Sequence, residues 1–375
     1  MIHKKVRGSL LIAFLLCILS TQSIAQRVPS ADLQPDTSEM QFKGTAKKIY
    51  DMLEIANDTN YIIDLSDLLT VRVYGSKDFI QYRLADNNYS NKVIYEPNNT
   101  FDIGIGASYH IFSINAAISA PYLNTFNKYG KTRSFDASTH FYFPKVTIDL
   151  YGGFYKGYYI SDANNYVLIN TKQTYIRPDI HTNSIGLNLQ YVVNSTKFSY
   201  IGSFEQVQFQ KKNAGSIIFG AGIYTGFVSS DSSVIPHGLT MPDFFRNNDF
   251  NKSNIYSLAL SAGYAYTVVI HQNYFISASL TLGAGGNYMT IANTHTNAST
   301  SKLGLLLNTD SRAAAGYNST YYYVALLFSY LDNKYYTPIA GTRQDFVAGN
   351  LRLVLAKRFK LNKTNAIDKV LNKVF

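Results

Sequence analysis

Apolar and polar residues alternate with a period of two over much of this chain. The longest stretch runs from Tyr274 to Tyr288, where large apolar side chains alternate with small or polar residues such as Ser277, Ser279 and Thr281. Such a strand places one face against lipid and the other against a polar interior. The pattern therefore predicts a membrane-spanning β-strand with tyrosines at both ends of its apolar face.

Similar patterns predict a series of strands that runs almost to the end of the chain. These strands cover Leu69–Tyr74, Val93–Glu96, Phe101–Tyr109, Ser113–Ala120, Thr132–Tyr142, Val146–Tyr159, Ile180–Val193, Phe198–Gln210, Ser216–Val228, Ile255–Val268, Tyr274–Thr290, Arg312–Gly316, Tyr321–Tyr330 and Phe346–Phe359.

The connections between these strands fall into two classes. Compact turns are predicted at Phe143–Lys145, Asn194–Thr196, His271–Asn273 and Asn318–Thr320, whereas 162–178, 229–253 and 293–302 are long and polar. In outer-membrane barrels the short turns face the periplasm and the long loops face outward.

Counting strands from both ends places the 229–253 loop on opposite sides of the membrane. A hidden short strand at Val234–Phe244 would restore an even number. The predicted fold is all-β, a transmembrane antiparallel β-barrel of roughly 12 to 14 strands, with a short periplasmic N-terminal segment and a short C-terminal helix.

Four regions follow along the chain. Basic residues precede the apolar run Leu10–Leu19, and Ser23–Ala25 offers small residues for cleavage, so residues 1–25 are predicted to be a signal peptide. Residues 26–68 form a periplasmic segment, 69–359 the barrel and 360–375 a basic amphipathic tail. The predicted location is the outer membrane of a Gram-negative bacterium.

Composition narrows the class of protein. Outside the leader no run reaches roughly 18 apolar residues, which argues against a helical membrane protein. Cys17 lies in the leader and lacks the preceding small residue of a lipoprotein site, so the mature chain has no thiol for a disulfide or metal. Of the net charge of +10, three positive charges lie in the leader, and +5 of the remaining +7 lies after Ala356. This position disfavours nucleic acid and indicates a solvated tail, or contact with anionic lipid or a periplasmic partner.

One group of residues suggests hydrolase chemistry. Asp136, Ser138 and His140 share a strand face, and a hairpin turned at Phe143 and Pro144 is expected to set Asp149 opposite Ser138. Polar residues also belong on the interior face of any barrel, and the sequence shows no oxyanion donor. We therefore expect no enzyme, and keep these four residues as a weak catalytic candidate.

No metal or cofactor site is predicted, because the histidines are scattered without ligand spacing. Charged residues instead gather near predicted strand ends, where they either line a mouth, bind lipopolysaccharide phosphates or mark the edge of the lipid band. They are Lys131, Arg133, Lys156, Arg177, Asp179, Lys211 and Lys212.

Several blocks of sequence resemble one known family. They include Asn127–Thr132, Ile176–Asp179, Phe209–Ser216, Asp231–Pro236 and Ala262–Thr267. Together with the stretch from Asp149 to Tyr159 they are similar to the Bacteroidetes family known as domain of unknown function 4421, over about Asp58 to Phe359. The resemblance implies an outer-membrane barrel and no particular chemistry.

Two functional classes remain open, and a third is remote. The first is a porin-like channel or transporter for small solutes, because interior positions such as Ser257, Ser277 and Asn287 are small and uncharged. The second is a closed structural or interaction barrel with a periplasmic or envelope partner, in which Tyr151, Tyr155 and Tyr159 fill the interior. An outer-membrane lipid-modifying hydrolase is the remote alternative. Expected contacts are outer-membrane lipid, with lipopolysaccharide or a periplasmic protein as further partners.

Overall fold

A computed structural model of the chain describes residues 57–86, 91–98, 101–110, 112–119, 126–143, 145–161, 174–236, 244–296 and 298–360. The predicted signal peptide, most of the N-terminal segment and the tail from 361 onward lie outside the described residues. Among the described residues, no helix is long and apolar enough to cross a membrane.

The described residues are mostly strand, with two α-helices of one turn each and a short 3-10 helix at Phe244–Asn247. The strands are β1 Ile62–Asp64, β2 Leu68–Asp86, β3 Lys92–Glu96, β4 Phe101–Tyr109, β5 Phe112–Ser119, β6 Arg133–Tyr142, β7 Val146–Ile160, β8 Ile176–Val192, β9 Gln208–Gln210, β10 Ala214–Ser229, β11 Phe250–Ile270, β12 Tyr274–Asn293, β13 Ser299–Asn318, β14 Tyr322–Tyr336 and β15 Thr342–Lys360. The helices are α1 Phe126–Tyr129 and α2 Tyr200–Phe204.

Twelve of these strands close into an antiparallel ring. The ring contains β2, β4 to β8 and β10 to β15, each paired with the next along the chain, and it closes where β15 pairs with β2 from Thr342 opposite Asp86 to Lys360 opposite Leu68. The predicted barrel is confirmed. Short β3 lies between the far end of β2 and the end of β7, outside this sequence of twelve.

The two faces of the wall differ as the alternation predicts. On β12, Leu282 is 60% exposed and points outward, whereas Ser277 is 2% exposed and points into the lumen. The predicted interior positions Ser257 and Asn287 are buried as well. The outer surface is therefore a belt of exposed apolar side chains around a packed polar and aromatic interior.

The two ends of the ring are unlike. At the turn end, where β2 begins and β15 ends, the connections at His271–Asn273 and Ser319–Tyr321 are short. At the loop end, the connections after β7, β10 and β12 are longer. These names are used below.

One predicted strand is wrong. Residues Phe198–Gln210 do not cross the membrane, because the connection from β8 to β10 folds into the lumen as α2 and β9. Asn194–Thr196 is a turn, as predicted, but it leads into this connection and not into a membrane strand. Without this strand, counting from either end places the 229–253 connection on the same side. Predicted Val93–Glu96 is β3, outside the ring, and twelve strands remain. The hidden strand proposed at Val234–Phe244 is not needed, and its described ends contain no strand.

A bulge in β7 changes one predicted interior residue. Gly157 has φ +93°, and the pairing of β7 with β8 shifts between Lys156 and Tyr158. Beyond this bulge Tyr158 is buried in the lumen. Tyr159 instead contacts Tyr129 of α1. Glycine is required because L side chains rarely adopt this backbone conformation.

Candidate functional site

The connection from β8 to β10, residues 193–213, enters the lumen at the turn end, and we call it the plug. Ser199 precedes α2 and its side-chain oxygen accepts a hydrogen bond from the amide of Gly202 at 2.8 Å. This N-cap explains why a helix starts here, after a residue with extended backbone. All five residues of α2 are buried.

Two arginines of the barrel wall hold the C-terminal side of the plug. Arg72 on β2 donates to Gln206 Oε1 at 2.7 Å and forms an ion pair with Glu205 at 3.6 Å. Arg358 on β15 donates from Nε to the Gln206 carbonyl oxygen at 2.9 Å. Because both guanidinium groups are buried, these contacts are made in a medium where hydrogen bonds to charge are strong.

Hydroxyl groups hold the middle of the plug. Ser203 is hydrogen bonded to Ser277 at 2.6 Å and to Thr267 at 3.2 Å, on the lumen faces of β12 and β11. On β14, two strands from β12 in the ring, the Tyr323 hydroxyl donates to the Ser203 carbonyl oxygen at 2.7 Å. The small polar interior that the sequence shows is thus occupied by protein.

The plug also pairs with the start of the described chain. Strand β9 pairs with β1 over three residues, from Gln208 opposite Asp64 to Gln210 opposite Ile62. Nζ of Lys211 donates to the Thr59 carbonyl oxygen at 2.9 Å. The turn end is therefore covered by two segments that are far apart in sequence.

A cluster of charged groups lies in the lumen above the plug, and we call it the luminal charge cluster. Asp149 on β7 lies 2.7 Å from Nδ1 of His140 on β6 and accepts a hydrogen bond from Arg312 on β13 at 2.8 Å. Arg312 also reaches Asp310 at 3.4 Å. Asp149 is only 2% exposed, so its charge is compensated by direct partners across the lumen.

Tyr200 of the plug covers this cluster. The Arg312 guanidinium lies 5.7 Å from the centre of the Tyr200 ring, within the range of a cation–π contact. Burial raises the pKa of the Tyr200 phenol above its ordinary value, against the opposing effect of Arg312. The plug is thus electrostatically joined to the wall as well as hydrogen bonded to it.

Aromatic side chains fill the lumen at the loop end. Tyr82 lies 5.2 Å from Phe346 and 6.1 Å from Tyr95, measured between ring centres. The Tyr95 hydroxyl donates to the Val234 carbonyl oxygen at 2.5 Å, which attaches the loop after β10 to this core. We call this group the loop-end core.

A second attachment of the same loop uses a bidentate ion pair. Both Arg177 Nε and Nη2 donate to the Asp179 carboxylate at 2.8 Å. Arg177 Nη1 donates to the Ser233 carbonyl oxygen at 2.8 Å, and the amide of Asp231 donates to Asp179 at 3.2 Å. The pair thus holds the loop against β8.

The predicted catalytic residues are only partly assembled. The register of β6 and β7 sets Asp149 opposite His140 and Tyr151 opposite Ser138, so the expected position of Asp149 opposite Ser138 is wrong by two residues. In the described part of the chain no hydrogen bond joins Ser138 to His140. Asp136 instead accepts a hydrogen bond from the Tyr155 hydroxyl.

The seven predicted charged contacts divide among three places. Arg133 and Lys156 are direct neighbours on the outer face at the loop end, close to Lys131. Arg177 and Asp179 form the loop attachment. Lys211 and Lys212 lie at the turn end, the latter 5.3 Å from the centre of the Tyr61 ring.

The residues that hold the plug were not singled out from the sequence, although a signal for them exists. Arg72, Arg312 and Arg358 all fall on the lumen-facing parity of their strands. A buried guanidinium needs acceptors. The plug supplies acceptors to Arg72 and Arg358, whereas Arg312 donates to Asp149 and Asp310 on the wall.

Among the described residues, no group of three or more histidine, cysteine, aspartate or glutamate side chains is arranged to hold a metal ion. The geometry of the site suits ion pairing and closure of the lumen.

The chain matches one protein family over most of its length. A family described as a domain of unknown function (DUF4421) matches residues 56–359. No match was found among curated proteins.

Solved structures that are similar are outer-membrane barrels. The protease OmpT of Escherichia coli shares 8% identity, with 79% of this chain and 98% of that chain covered and a TM-score of 0.33. The toluene transporter TodX of P. putida shares 10% identity, with 86% and 95% covered and a TM-score of 0.27. The translocator domain of NalP from Neisseria meningitidis shares 9%, with 84% and 92% covered and a TM-score of 0.26.

Proposed function

The chain belongs to the DUF4421 family, and from that premise we propose that it is an outer-membrane barrel closed along its axis, which serves the cell envelope as a binding or scaffold protein. This proposal favours the closed barrel over the small-solute channel. It includes no catalytic step.

The observation that carries the proposal is the buried plug. Residues 200–204 are buried in the lumen, and contacts through Arg72, Arg358 and Ser203 tie the segment to β2, β15 and β12. A solute that travels along the axis has to displace these contacts. Each net hydrogen bond contributes about 1 kcal/mol and those to charged groups about twice that, so the plug is held by several kcal/mol.

The loop-end core supports the same conclusion at the other end of the lumen. Tyr82, Tyr95 and Tyr335 are each at most 2% exposed although they point inward. A conducting barrel needs a continuous hydrated path. The lumen is therefore closed at two levels, by the plug at the turn end and by the loop-end core at the other end.

Basic residues on the outer surface support one orientation in the membrane, with the loop end outward. At the loop end the register aligns Arg133 with Lys156, Lys156 with His181, and Ser229 with both His181 and Lys252 on the outer face. A row of basic groups above an apolar belt suits the phosphates of lipopolysaccharide. We therefore propose that the loop end faces outward.

The turn end then faces the periplasm. Lys197 and Lys212 lie 5.4 and 5.3 Å from the centre of the Tyr61 ring, and Lys211 lies beside them in sequence. This basic surface is suited to an acidic partner in the periplasm. The three lysines of this surface belong to the plug.

The test is the conductance of the full-length protein, extracted from bacterial membranes and placed in planar lipid bilayers. We expect no stable single-channel steps from protein whose gel mobility changes on heating, as that of folded barrels does. Flotation with liposomes checks that the protein has inserted. Uniform, stable steps from the unaltered protein would overturn the proposal.

A plug variant makes the measurement more specific. Glu205→Gln combined with Arg72→Gln removes the ion pair while retaining polar side chains of similar size. Transient current bursts in this variant, absent from the unaltered protein and from an exposed control, Lys360→Gln, would identify the plug as the barrier.

A further inference from the structure

The wall of the barrel is not paired uniformly. Strand β5 pairs with β4 over its full length, and β6 pairs with β7 over its full length. Between β5 and β6, however, pairing covers only Phe112–Ile114 opposite Thr139–Phe141. In the described residues the facing edges Asn115–Ser119 and Arg133–Ser138 therefore have no ladder between them. We call this gap the seam.

The seam lies within the apolar belt. Ile118 on β5 is 78% exposed and Phe135 on β6 is 64% exposed, and both point outward. Strand edges that face hydrocarbon leave amide and carbonyl groups without partners, which costs several kcal/mol for each group. A polar group from water or from a bound molecule is therefore needed along the seam.

The seam leads into the lumen. Lumen-facing Ser134 and Asp136 on β6 are exposed, and so is Ala117 on β5. At other positions on the inner face, such as Asp149 and Asn287, side chains are almost fully buried. The space inside the wall is thus accessible beside the seam and filled elsewhere.

Acceptor groups line this accessible space. The Asp78 carboxyl is in hydrogen-bonding contact with Asp102, and Asp136 lies near both. Oδ1 of Asp102 and Oδ1 of Asn115 are buried and have no hydrogen-bond partner among the described residues. Arg352 is the basic group near these carboxyls, and its guanidinium lies 4.4 Å from the centre of the Tyr74 ring. Nε of Arg352 is also buried without a hydrogen-bond partner among the described residues, and three carboxyl groups face this one guanidinium.

We propose that the seam is a lateral binding site for an amphiphile that enters from the bilayer. Its apolar chain lies between Ile118 and Phe135, and its head, a protonated amine, donates hydrogen bonds to Asp136 and Asp102. An amphiphile with an acidic head is disfavoured, since three carboxyl groups face one guanidinium. The site relies on the membrane placement proposed above and does not depend on closure of the axis.

Cysteine pairs test whether the seam is open. Ile118→Cys with Phe135→Cys spans the seam, and Phe135→Cys with Phe154→Cys spans the paired strands β6 and β7, where these two residues are direct neighbours. Both pairs are placed in a Cys17→Ser background. We expect a rapid disulfide in the second pair, and in the first only cross-linking by longer bifunctional thiol reagents. Equally rapid oxidation of both pairs would overturn the open seam.

Tryptophan quenching tests the ligand, because the chain contains no tryptophan. Ala117→Trp places a reporter on the lumen side of the seam, with Ser134→Trp as a second reporter should the first variant fail to fold. Leu258→Trp, on the outer face of β11, reports simple partition into the micelle. The probes are bromododecylamine and bromododecanoic acid in a neutral detergent.

We expect saturable quenching of a lumen reporter by the amine, with a half-quenching concentration roughly tenfold below that of the acid, the ratio expected from one charge-assisted hydrogen bond. The outer reporter should respond to both probes in proportion to their partition. Asp136→Asn should remove most of the amine preference. In the variant that combines Ile118→Cys with Phe135→Cys, a bifunctional thiol reagent that links the two introduced thiols should abolish quenching inside while leaving that of Leu258→Trp unchanged.

Quenching of both lumen reporters that merely follows the outer control, or equal quenching by amine and acid, would overturn the proposal. Stable conductance would contradict the closed axis, and absence of selective quenching would contradict the lateral site. The two proposals therefore fail by different measurements.

Discussion

Nε of Arg358 lies 2.9 Å from the carbonyl oxygen of Gln206, although 152 residues separate the two in sequence. The first residue is on the last strand of the ring and the second is in the plug. Arg358 also donates to Oδ1 of Asn318 at 3.1 Å. One side chain thus joins the wall, a turn and the plug.

Arg358→Ala should lower the free energy of unfolding by at least about 3 kcal/mol, because it leaves several buried acceptors without a donor. Arg358→Lys should recover part of this loss, since an ammonium cannot reproduce the forked geometry. Guanidinium titrations of protein in lipid vesicles, read by gel mobility, measure the effect. A loss no larger than that of the exposed control Lys360→Ala would contradict the assigned role.

Arg177→Ala should release the loop after β10 while leaving the ring intact. The amide of Asp231 donates to Asp179, whose position depends on the bidentate pair with Arg177. Hydrogen exchange over 230–236 should accelerate roughly ten- to hundredfold, as the loss of charge-assisted hydrogen bonds predicts. Arg133→Ala, on the outer face of the same end, is the control and should leave exchange in this loop unchanged.

Alkaline pH should reveal Tyr200. Burial raises the pKa of this phenol in the folded protein, so the unfolded chain loses its proton first. The stability that Tyr200 contributes is therefore complete below its unfolded pKa of about 10 and is lost as pH rises above it, by at most about 1.4 kcal/mol per pH unit.

Comparison with Tyr200→Phe isolates this effect from the other tyrosines. The variant should show a shallower decrease of unfolding free energy between about pH 10 and 11.5, where only the ionisation of Tyr200 in the unfolded state differs. Identical slopes for the two proteins would contradict the prediction, because they would show that the Tyr200 phenol has the same pKa in the folded and the unfolded protein.

Gly157→Ala should destabilise the bulge of β7. A Cβ atom at this position would lie 2.4 Å from the carbonyl oxygen of Lys131, and its φ of +93° is unfavourable for alanine. A loss of roughly 1 to 3 kcal/mol is expected. Gly152→Ala is the matched control on the same strand, since its Cβ would meet only ordinary contacts at 3.6 Å and beyond. Equal stability of the two variants would remove the case for a required glycine.

The ring could be predicted because lipid and lumen impose opposite demands on alternate residues. The stretch from Tyr274 to Tyr288 carries this alternation so clearly that its two faces were assigned correctly. Strand lengths were harder to predict. Strand β13 extends from Ser299 to Asn318, although the prediction began at Arg312, because polar Ser301 and Lys302 lie beyond the apolar belt and resemble a loop.

The plug could not be predicted from alternation alone. In Phe198–Gln210 the apolar residues Phe198, Tyr200 and Phe204 also suit a strand, and only the capping serine at 199 indicates a helix. Register was equally uncertain. The pairing of His140 with Asp149 depends on the length of the turn at 143–145. A shift of the register by one residue gives every residue of one strand a different partner on the other.

The anchors of the plug also fix an order of events during assembly. Arg72 belongs to the first strand of the ring and Arg358 to the last, while β1 precedes both and pairs with β9. The plug can gain its full set of partners only after the last strand has arrived beside the first. Final seating of the plug is thus coupled to completion of the barrel, and a barrel left unfinished by one strand keeps its turn end unsealed.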